Sequence, residues 1–280
     1  MNKSPLASER SNLVRLWREA DFGGAELLAA SYHNHHFPPH AHDEYAFGII
    51  ERGAQAFQHD RGKRLTMPQG SIGVINPGDV HEGRPADGQG WDYRMVYLSP
   101  DFVCRLFERE AGHPAGLPWF ARNVIFDDQT IVMLRAAHCS SASPHASRLE
   151  VSSLLTAAVI QLFARHAQFR QRRLEQAAAP RAVRHAREFI DAHLVASPSL
   201  EELASVAGVS PYHLLRQFKA IHGMAPHRYL IQRRVAMAKT MLLAGRQPRR
   251  VAIELGYCDQ AHLSREFKTF YGVAPSRIGR

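Results

Sequence analysis

The chain has 280 residues, 45% of them hydrophobic, and a formal net charge of +9 at pH 7. That length is sufficient for two domains of ordinary size, each with its own core. Three cysteines without close spacing argue against a disulfide framework, and no apolar signal core or 18-residue apolar run is present, so we expect a cytoplasmic protein with free thiols.

The region from residue 1 to residue 98 predicts a short arm followed by a β-rich fold. Residues 1–20 are mostly polar, and we expect them to pack as an arm on the domain that follows. From residue 25 onward, short apolar runs alternate with turn residues such as Arg52-Gly53 and Pro77-Gly78. Strands spaced about ten residues apart, with turn residues between them, are typical of a small antiparallel sandwich or barrel.

The β-rich region contains two histidine segments, HHFPPHAHDEY (residues 35–45) and PGDVHEG (residues 77–83). His40 and His42 are two residues apart, so on a strand both side chains face the same side. With His81 they could form a three-nitrogen site for a borderline divalent metal. The other interpretation, which we prefer, is that these histidines are structural or contact an effector.

Glu44 alternates to the same face as His42, so we place it with His40, His42 and His81 in the candidate effector-binding set. No metal cofactor is expected. The remaining histidines of the cluster are expected to be loop residues, and these are His33, His35 and His36.

From Asp101 onward, apolar residues recur at helical spacing and predict three helices. The third, over residues 148–169, has a broad apolar face that we expect to pack on its own domain. Residues 170–180 are polar, rich in alanine and end in proline, which predicts a linker between domains 1–169 and 181–280. The residues of the apolar face are Leu149, Ser152, Ser153, Leu155, Thr156, Val159, Leu162 and Phe163.

The C-terminal part of the chain contains a duplicated unit. SPYHLLRQFKAIHGMAPHRYL (residues 210–230) recurs as DQAHLSREFKTFYGVAPSRIG (residues 259–279), with nine identities in 21 positions. Each copy follows a short apolar-periodic helix and a glycine, Gly208 or Gly256. A helix, a glycine turn and a second helix, repeated once, predict tandem helix-turn-helix units.

The second helix of each copy has an apolar face and a basic outward face. Ser210 and Asp259 are the predicted N-caps of these helices. An outward basic face in this setting predicts insertion into the DNA major groove, where arginine can bind guanine O6 and N7. A merely solvated charged face is the alternative, but two copies in register favour DNA. The outward residues are Tyr212, Arg216, Lys219, Ala261, Arg265 and Lys268.

The two copies are predicted to be held rigidly. Ser199 and Glu202 form a capping box that opens a helix in the first unit. Residues 226–243, followed by Gly245, predict one long helix between the units. Two recognition helices on one chain could then enter successive major grooves, about 34 Å apart.

The positive charge is confined to this C-terminal part. Residues 181–280 contain 16 Lys and Arg against 7 Asp and Glu, whereas residues 1–180 contain 19 of each. A basic domain joined to a neutral one is typical of a nucleic-acid-binding domain attached to a domain of another function.

Residues 181–280 resemble the paired helix-turn-helix DNA-binding domain of AraC/XylS-type transcription regulators. The resemblance implies base contacts from the outward positions of both recognition helices, with Lys219 and Lys268 as further DNA contacts. Leu215 and Ala261 are apolar where polar residues are frequent in the family, so contact with a thymine methyl is the expected use there. The implied base-contacting residues are Tyr212, Leu215, Arg216, Gln260, Ala261 and Arg265.

Residues 35–83 resemble the cupin-like effector-binding domain of sugar-type regulators. The full metal-binding cupin pattern has a glutamate where this chain has Ala46 and Phe47, which weakens the metal interpretation. The resemblance also implies a small-molecule effector, a homodimer paired through the helix at 148–169, and contact with RNA polymerase if the protein is an activator.

We therefore predict an α+β protein of two domains, a cupin-like β-barrel with flanking helices and an all-α tandem helix-turn-helix domain. Its predicted function is that of an effector-responsive, sequence-specific transcription regulator with no enzymatic reaction, and the family resemblance favours an activator. The alternative is a metal-dependent cupin enzyme fused to a DNA-binding domain, which depends on His40, His42 and His81 alone. A non-specific architectural DNA protein would need basic residues along the whole chain.

Overall fold

The computed structural model of the chain describes residues 12–59, 63–111, 117–170 and 180–278. In these ranges a β-rich N-terminal domain packs against a helical C-terminal domain, which confirms the predicted α+β fold of two domains.

The elements of the N-terminal domain are β1 (Leu13–Glu19), β2 (Ala25–Tyr32), β3 (Phe37–His40), β4 (Tyr45–His59), β5 (Lys63–Pro68), β6 (Ile72–Ile75), β7 (His81–Pro85), β8 (Trp91–Leu98), α1 (Pro100–Ala111), β9 (Leu117–Phe120), β10 (Val124–Ile125), α2 (Asp128–Ser141), α3 (Arg148–His166) and β11 (Ala167–Arg170). The C-terminal elements are α4 (Arg181–Ala192), α5 (Leu200–Ala207), α6 (Pro211–His222), α7 (Pro226–Leu243), α8 (Pro248–Glu254), α9 (Gln260–Tyr271) and a 3-10 turn (Pro275–Arg277).

The sheet folds around the long strand β4. Its first half pairs with β6 and β8, and its second half pairs with β5 and β7, all antiparallel. Because one strand belongs to both halves, alternate side chains of both halves face a shared interior. Leu28, Ile50, Phe57, Met67 and Tyr93 are buried in that interior.

One prediction for this domain was wrong, and a second was incomplete. The break expected at Arg52-Gly53 does not end the strand, because β4 continues past a bulge between Ile50 and Arg52. Gly53 pairs with Trp91, has φ +69°, and a Cβ atom there would lie 2.2 Å from the Gly90 carbonyl oxygen. The predicted arm is in part a strand, because β1 pairs antiparallel with β2. Residues 1–11 of the arm lie outside the described ranges.

Helix α3 packs on its own domain, as expected. The Phe163 ring makes edge contacts with Tyr45, Phe47 and Phe120. Half of the predicted face is buried, namely Leu155, Val159, Leu162 and Phe163, whereas Ser153 is exposed. Leu149 is 76% exposed, so its assignment to that face was wrong. β11 follows α3 and pairs with β9, a strand pair that the sequence did not predict. The predicted linker begins at the last residue of β11, and residues 171–179 lie outside the described ranges.

The C-terminal domain has the predicted tandem arrangement. Helices α4, α5 and α6 share one small core, and α7 leads to the second unit of α8 and α9. The core of the second unit is continuous with the interior of the N-terminal domain. Ile221, at helical spacing from the buried Leu214 and Phe218 of α6, is nevertheless 40% exposed and lines the space between the domains.

No helix within the described ranges combines the length and the apolar character needed to cross a membrane.

Candidate DNA-binding surface and effector cavity

Both recognition helices, α6 and α9, have capped ends. The side chains of Ser210 and Asp259 accept hydrogen bonds from the backbone N–H three residues on, at 3.3 and 2.6 Å. Gly223 and Gly272 end the two helices in the left-handed conformation. The caps predicted from the sequence are confirmed, and they fix which residues of each helix face outward.

The eight residues expected to contact DNA all lie on the surface. Tyr212 is 76% exposed and Leu215 is 36% exposed. An open outward face is what entry into a DNA groove requires. Contact of each side chain with a base or a phosphate stays a prediction. The eight residues are Tyr212, Leu215, Arg216, Lys219, Gln260, Ala261, Arg265 and Lys268.

The C-terminal end of α9 is anchored to the N-terminal domain. The Tyr32 hydroxyl on β2 donates a hydrogen bond to the Tyr271 carbonyl at 2.8 Å. At Gly272, directly after α9, a Cβ atom would lie 2.3 Å from the Tyr32 ring. The second recognition helix is therefore in direct contact with the domain expected to bind the effector.

The structure brings the three predicted histidines together. The ring centroids of His40 and His81 are 4.2 Å apart, those of His42 and His81 are 5.1 Å apart, and those of His40 and His42 are 6.3 Å apart. His40 and His81 are also register partners in the β3–β7 pair. The three side chains are therefore close enough to act on one ligand, and their contact with an effector stays a prediction.

Backbone carbonyls hold all three imidazole rings. Nδ1 of His40 bonds to the Pro38 carbonyl oxygen at 2.8 Å, Nδ1 of His42 to that of Glu44 at 2.8 Å, and Nδ1 of His81 to that of Asp79 at 2.9 Å. Burial lowers the pKa of both His40 and His42 to about 4. Both rings are therefore neutral at pH 7.

No group of three or more His, Cys, Asp or Glu side chains within the described ranges has an arrangement that could hold a metal ion. The enzyme alternative depended on such a group at His40, His42 and His81. The geometry thus gives that alternative no support beyond the proximity of the three rings.

A cavity of about 400 Å³ lies between the two domains and extends into the barrel. The barrel contributes apolar residues together with His40, His42, Glu44 and His81, which are the four candidate effector-binding residues. Helix α7 contributes a second wall. The residues of that wall are Tyr229, Gln232, Arg233, Val235, Ala236, Met237, Lys239 and Thr240.

Polar contacts between α7 and the barrel flank this cavity. Gln232 hydrogen-bonds to the backbone of Ala41, between two of the histidines. The ammonium group of Lys239 pairs with the Glu26 carboxylate and lies 5.4 Å from the centroid of the Tyr97 ring. Burial by itself lowers the pKa of Lys239, but Tyr271 and the two nearby carboxylates raise it above its usual range.

Three residues of this wall were not predicted from the sequence, and they are Gln232, Arg233 and Lys239. A signal for Lys239 was present, because it follows Val235 by four residues and precedes Leu242 by three, on the buried face of α7. A lysine at the helical spacing of a buried face indicates a buried ion pair or a ligand-facing cation. No such sequence pattern distinguishes Gln232 from an ordinary polar residue of the helix.

Two known families match the chain. Residues 22–179 match the family described as AraC-like ligand binding domain, and residues 203–280 match the family described as helix-turn-helix domain. A curated relative is the uncharacterized HTH-type transcriptional regulator YbfI of Bacillus subtilis (strain 168). It is 29% identical over 227 residues, which cover 81% of each chain.

Solved structures with the same two-domain fold include ToxT from Vibrio cholerae. An apo variant of ToxT superposes with a TM-score of 0.55 at 12% identity, covering 96% of each chain. Wild-type ToxT bound to an unsaturated fatty acid gives a TM-score of 0.54 at 12% identity, over 99% of this chain and 96% of that chain. At this identity the likeness concerns the fold alone.

Proposed function

The chain belongs to the AraC-type family and is a helix-turn-helix transcription regulator with a ligand-binding domain, and we propose that its effector binds between the domains and changes how the recognition helices are held. The main support for this proposal is that α7 takes part in both the DNA-binding domain and the cavity. The helix joins the two helix-turn-helix units and also forms a wall of the cavity. A ligand that contacts α7 therefore acts on the connection between α6 and α9.

The proposed DNA contacts are the eight exposed residues of α6 and α9, with the two arginines as base contacts. In the proposed division of the chain, residues 1–169 form the effector-binding domain, residues 170–180 the linker and residues 181–280 the DNA-binding domain. The proposal includes activation through RNA polymerase, a homodimer and action on DNA in the cytoplasm.

The effector site is proposed to include His40, His42, Glu44 and His81 on the barrel side, and α7 on the other. One ToxT structure contains an unsaturated fatty acid. The sequence identity is too low to assign the ligand of ToxT to this chain, so the effector of this chain has to be inferred from the side chains that line its cavity.

Operator selection followed by a cavity-filling variant tests this function. The full chain is used to select binding sites from a random DNA library, and compounds that raise its melting temperature are then tested for an effect on operator affinity. Ala236→Phe adds a ring to the α7 wall of the cavity, and Ala244→Phe adds one at an exposed position after α7.

We expect Ala236→Phe to remove the response to the compound while operator binding without the compound persists. Ala244→Phe should respond like the unmodified chain. A compound that acts equally on both variants would place the effector site elsewhere, and a full chain that selects no DNA sequence would refute the regulator function itself.

A further inference from the structure

The lining of the cavity indicates the chemical class of the effector. This inference rests on the proposed function, because it requires an effector at this site. A volume of about 400 Å³ is typical of small-molecule sites. Extensive aromatic walls favour a ligand with a ring or another flat apolar body. Eight aromatic residues line the cavity, and they are Tyr32, Phe37, Phe57, Tyr93, Tyr97, Tyr229, Phe270 and Tyr271.

His40 and His42 present hydrogen-bond acceptors to this cavity. Each uses Nδ1 in a bond to a backbone carbonyl, as described above. A carbonyl oxygen can only accept, so the single proton of each neutral ring is on Nδ1, and Nε2 keeps its lone pair. Within the described ranges neither Nε2 atom has a hydrogen-bond partner. A ligand group that donates hydrogen bonds would satisfy them.

Two of the three Arg and Lys side chains in the lining, Lys239 and Arg233, are already paired with carboxylates. Lys239 pairs with Glu26, and the two side chains are 11% and 14% exposed. Arg233 pairs with Asp43 at 3.0 Å and with Asp191 at 2.9 Å. An incoming carboxylate at Lys239 or Arg233 would have to displace one of these partners, and next to His40 and His42 its lone pairs would face other lone pairs. Burying an uncompensated anion in such a site is unfavourable.

The charged side chains that remain in the lining are Glu44 and Arg187, and they have opposite signs. Nε of Arg187 is buried and has no hydrogen-bond partner within the described residues, so Arg187 is the one place in the lining where a carboxylate would find an open donor. The lining therefore has no group of uncompensated charges of one sign that would select an anion or a cation. Selectivity has to come from hydrogen bonds and from shape.

We propose that the effector is an uncharged aromatic or alicyclic compound with a hydroxyl group, and that the hydroxyl donates to Nε2 of His40 or His42 while the ring lies among the aromatic walls. A buried site built around such a hydrogen bond discriminates strongly against an analogue that lacks the donor. It also discriminates against an analogue whose donor is replaced by a carboxylate.

Four compounds with the same phenyl framework and different head groups test this proposal. They are 2-phenylethanol, phenylacetate, 2-phenylethylamine and ethylbenzene, and the same head groups on a naphthyl body form a second set. The melting temperature of the full chain is measured with each compound up to its solubility limit. Operator affinity of the same preparation is measured in parallel.

Asparagine variants remove the acceptor and keep the local structure. In His40→Asn and His42→Asn, the amide NH₂ replaces the Nδ1–H donor to the backbone carbonyl, while the Nε2 acceptor is lost. His36→Asn makes the same exchange at an exposed position and serves as the control. We expect the alcohol to give the largest stabilisation of its set, and its affinity to fall about tenfold in at least one cavity variant but not in the control.

A larger stabilisation by the carboxylate or the amine, equal stabilisation by all head groups, or no stabilisation by any compound would overturn the proposal. So would alcohol binding that neither cavity variant weakens. If operator binding is intact in these cases, only the assignment of the ligand class fails. A chain that binds no operator in the parallel measurement would instead contradict the proposed function.

Discussion

The side-chain amide of Gln232 makes two hydrogen bonds to the backbone of Ala41. Its Oε1 atom accepts from the Ala41 N–H at 3.0 Å, and its Nε2 atom donates to the Ala41 carbonyl oxygen. Because Ala41 lies between His40 and His42, this contact joins α7 to the segment that carries both histidines. A ligand that shifts either ring would displace Ala41 and, through Gln232, the helix between the two recognition units.

The first prediction concerns this contact. In Gln232→Glu, a carboxylate oxygen replaces the Nε2 donor and faces the Ala41 carbonyl oxygen, so one hydrogen bond becomes a repulsion. We expect a loss of about 1–3 kcal/mol in the free energy of unfolding and faster amide hydrogen exchange at Ala41. Gln247 is exposed and caps no helix with its side chain, so Gln247→Glu is the matched control. Unchanged exchange at Ala41 would show that the contact does not hold the domains together.

The second prediction concerns the ion pair between Lys239 and Glu26. Glu26→Gln removes the carboxylate that directly contacts a buried ammonium group, and we expect destabilisation of about 3 kcal/mol. The double variant Glu26→Gln, Lys239→Met removes both charges and should recover most of that loss. Thermal or denaturant unfolding measures both effects.

The exposed pair between Arg246 and Glu254 is the control for the ion-pair prediction. Glu254→Gln should change stability by less than about 1 kcal/mol, since exposed ion pairs contribute little. Equal costs at Glu26 and Glu254 would mean that Lys239 is compensated by other groups, of which Glu44 is the nearest candidate.

The sequence predicted the C-terminal domain better than the N-terminal one, because its signals are local. The capping box of Ser199 and Glu202, the N-cap Asp259 and the terminal glycine Gly272 all lie within a few residues of the helix ends that they determine. The duplication gave two independent copies of the same pattern.

Contacts between distant parts of the chain could not be predicted in this way. Ala41 and Gln232 are 191 positions apart and neither belongs to a motif. The Arg52-Gly53 pair inside β4 is of the same kind as the turn residues that end strands elsewhere, and only the approach of Gly90 distinguishes it. The candidate effector site was therefore predicted on the barrel side alone, whereas its second wall depends on how the domains dock.

The third prediction concerns the pH dependence of stability. Burial lowers the pKa of His35, His40, His42 and His138 to about 4 from the usual value of 6.5. Between pH 6.5 and pH 4 the unfolded chain binds more protons at these sites, so stability is complete above pH 6.5 and is lost as the pH falls. Each histidine contributes a slope of up to about 1.4 kcal/mol per pH unit.

Denaturant unfolding between pH 7 and pH 4.5 checks the third prediction. The double variant His40→Asn, His42→Asn should reduce the slope of the free energy of unfolding against pH by the contribution of up to two histidines. The exposed control His36→Asn should leave that slope unchanged. A slope that is the same in all three proteins would mean that neither cavity histidine is neutral in the folded state.

The fourth prediction is that the purified protein contains far less than one equivalent of metal. Within the described residues, no group of three or more His, Cys, Asp or Glu side chains is arranged to hold a metal ion. Chelators should leave operator binding and melting temperature unchanged. Stoichiometric metal by elemental analysis, lost in His40→Asn, would contradict this and revive the enzyme alternative.

The last prediction separates base contacts from backbone contacts on the two exposed faces. Arg216 and Arg265 have the planar fork that can bind guanine O6 and N7, whereas Lys219 and Lys268, about one turn further along each helix, are point charges suited to phosphate. Arg216→Ala or Arg265→Ala should cost about 1–3 kcal/mol on the selected operator and relax the preference at one or two base pairs. Because the arginines belong to different units joined by α7, the relaxed positions should lie in different halves of the site.

Lys219→Ala or Lys268→Ala should weaken binding to all sequences alike and reduce the slope of log affinity against log salt by about one unit. Competition binding against a library of operator variants at several salt concentrations measures both quantities. If the arginine variants lose affinity uniformly and keep their base preference, both arginines contact the DNA backbone instead.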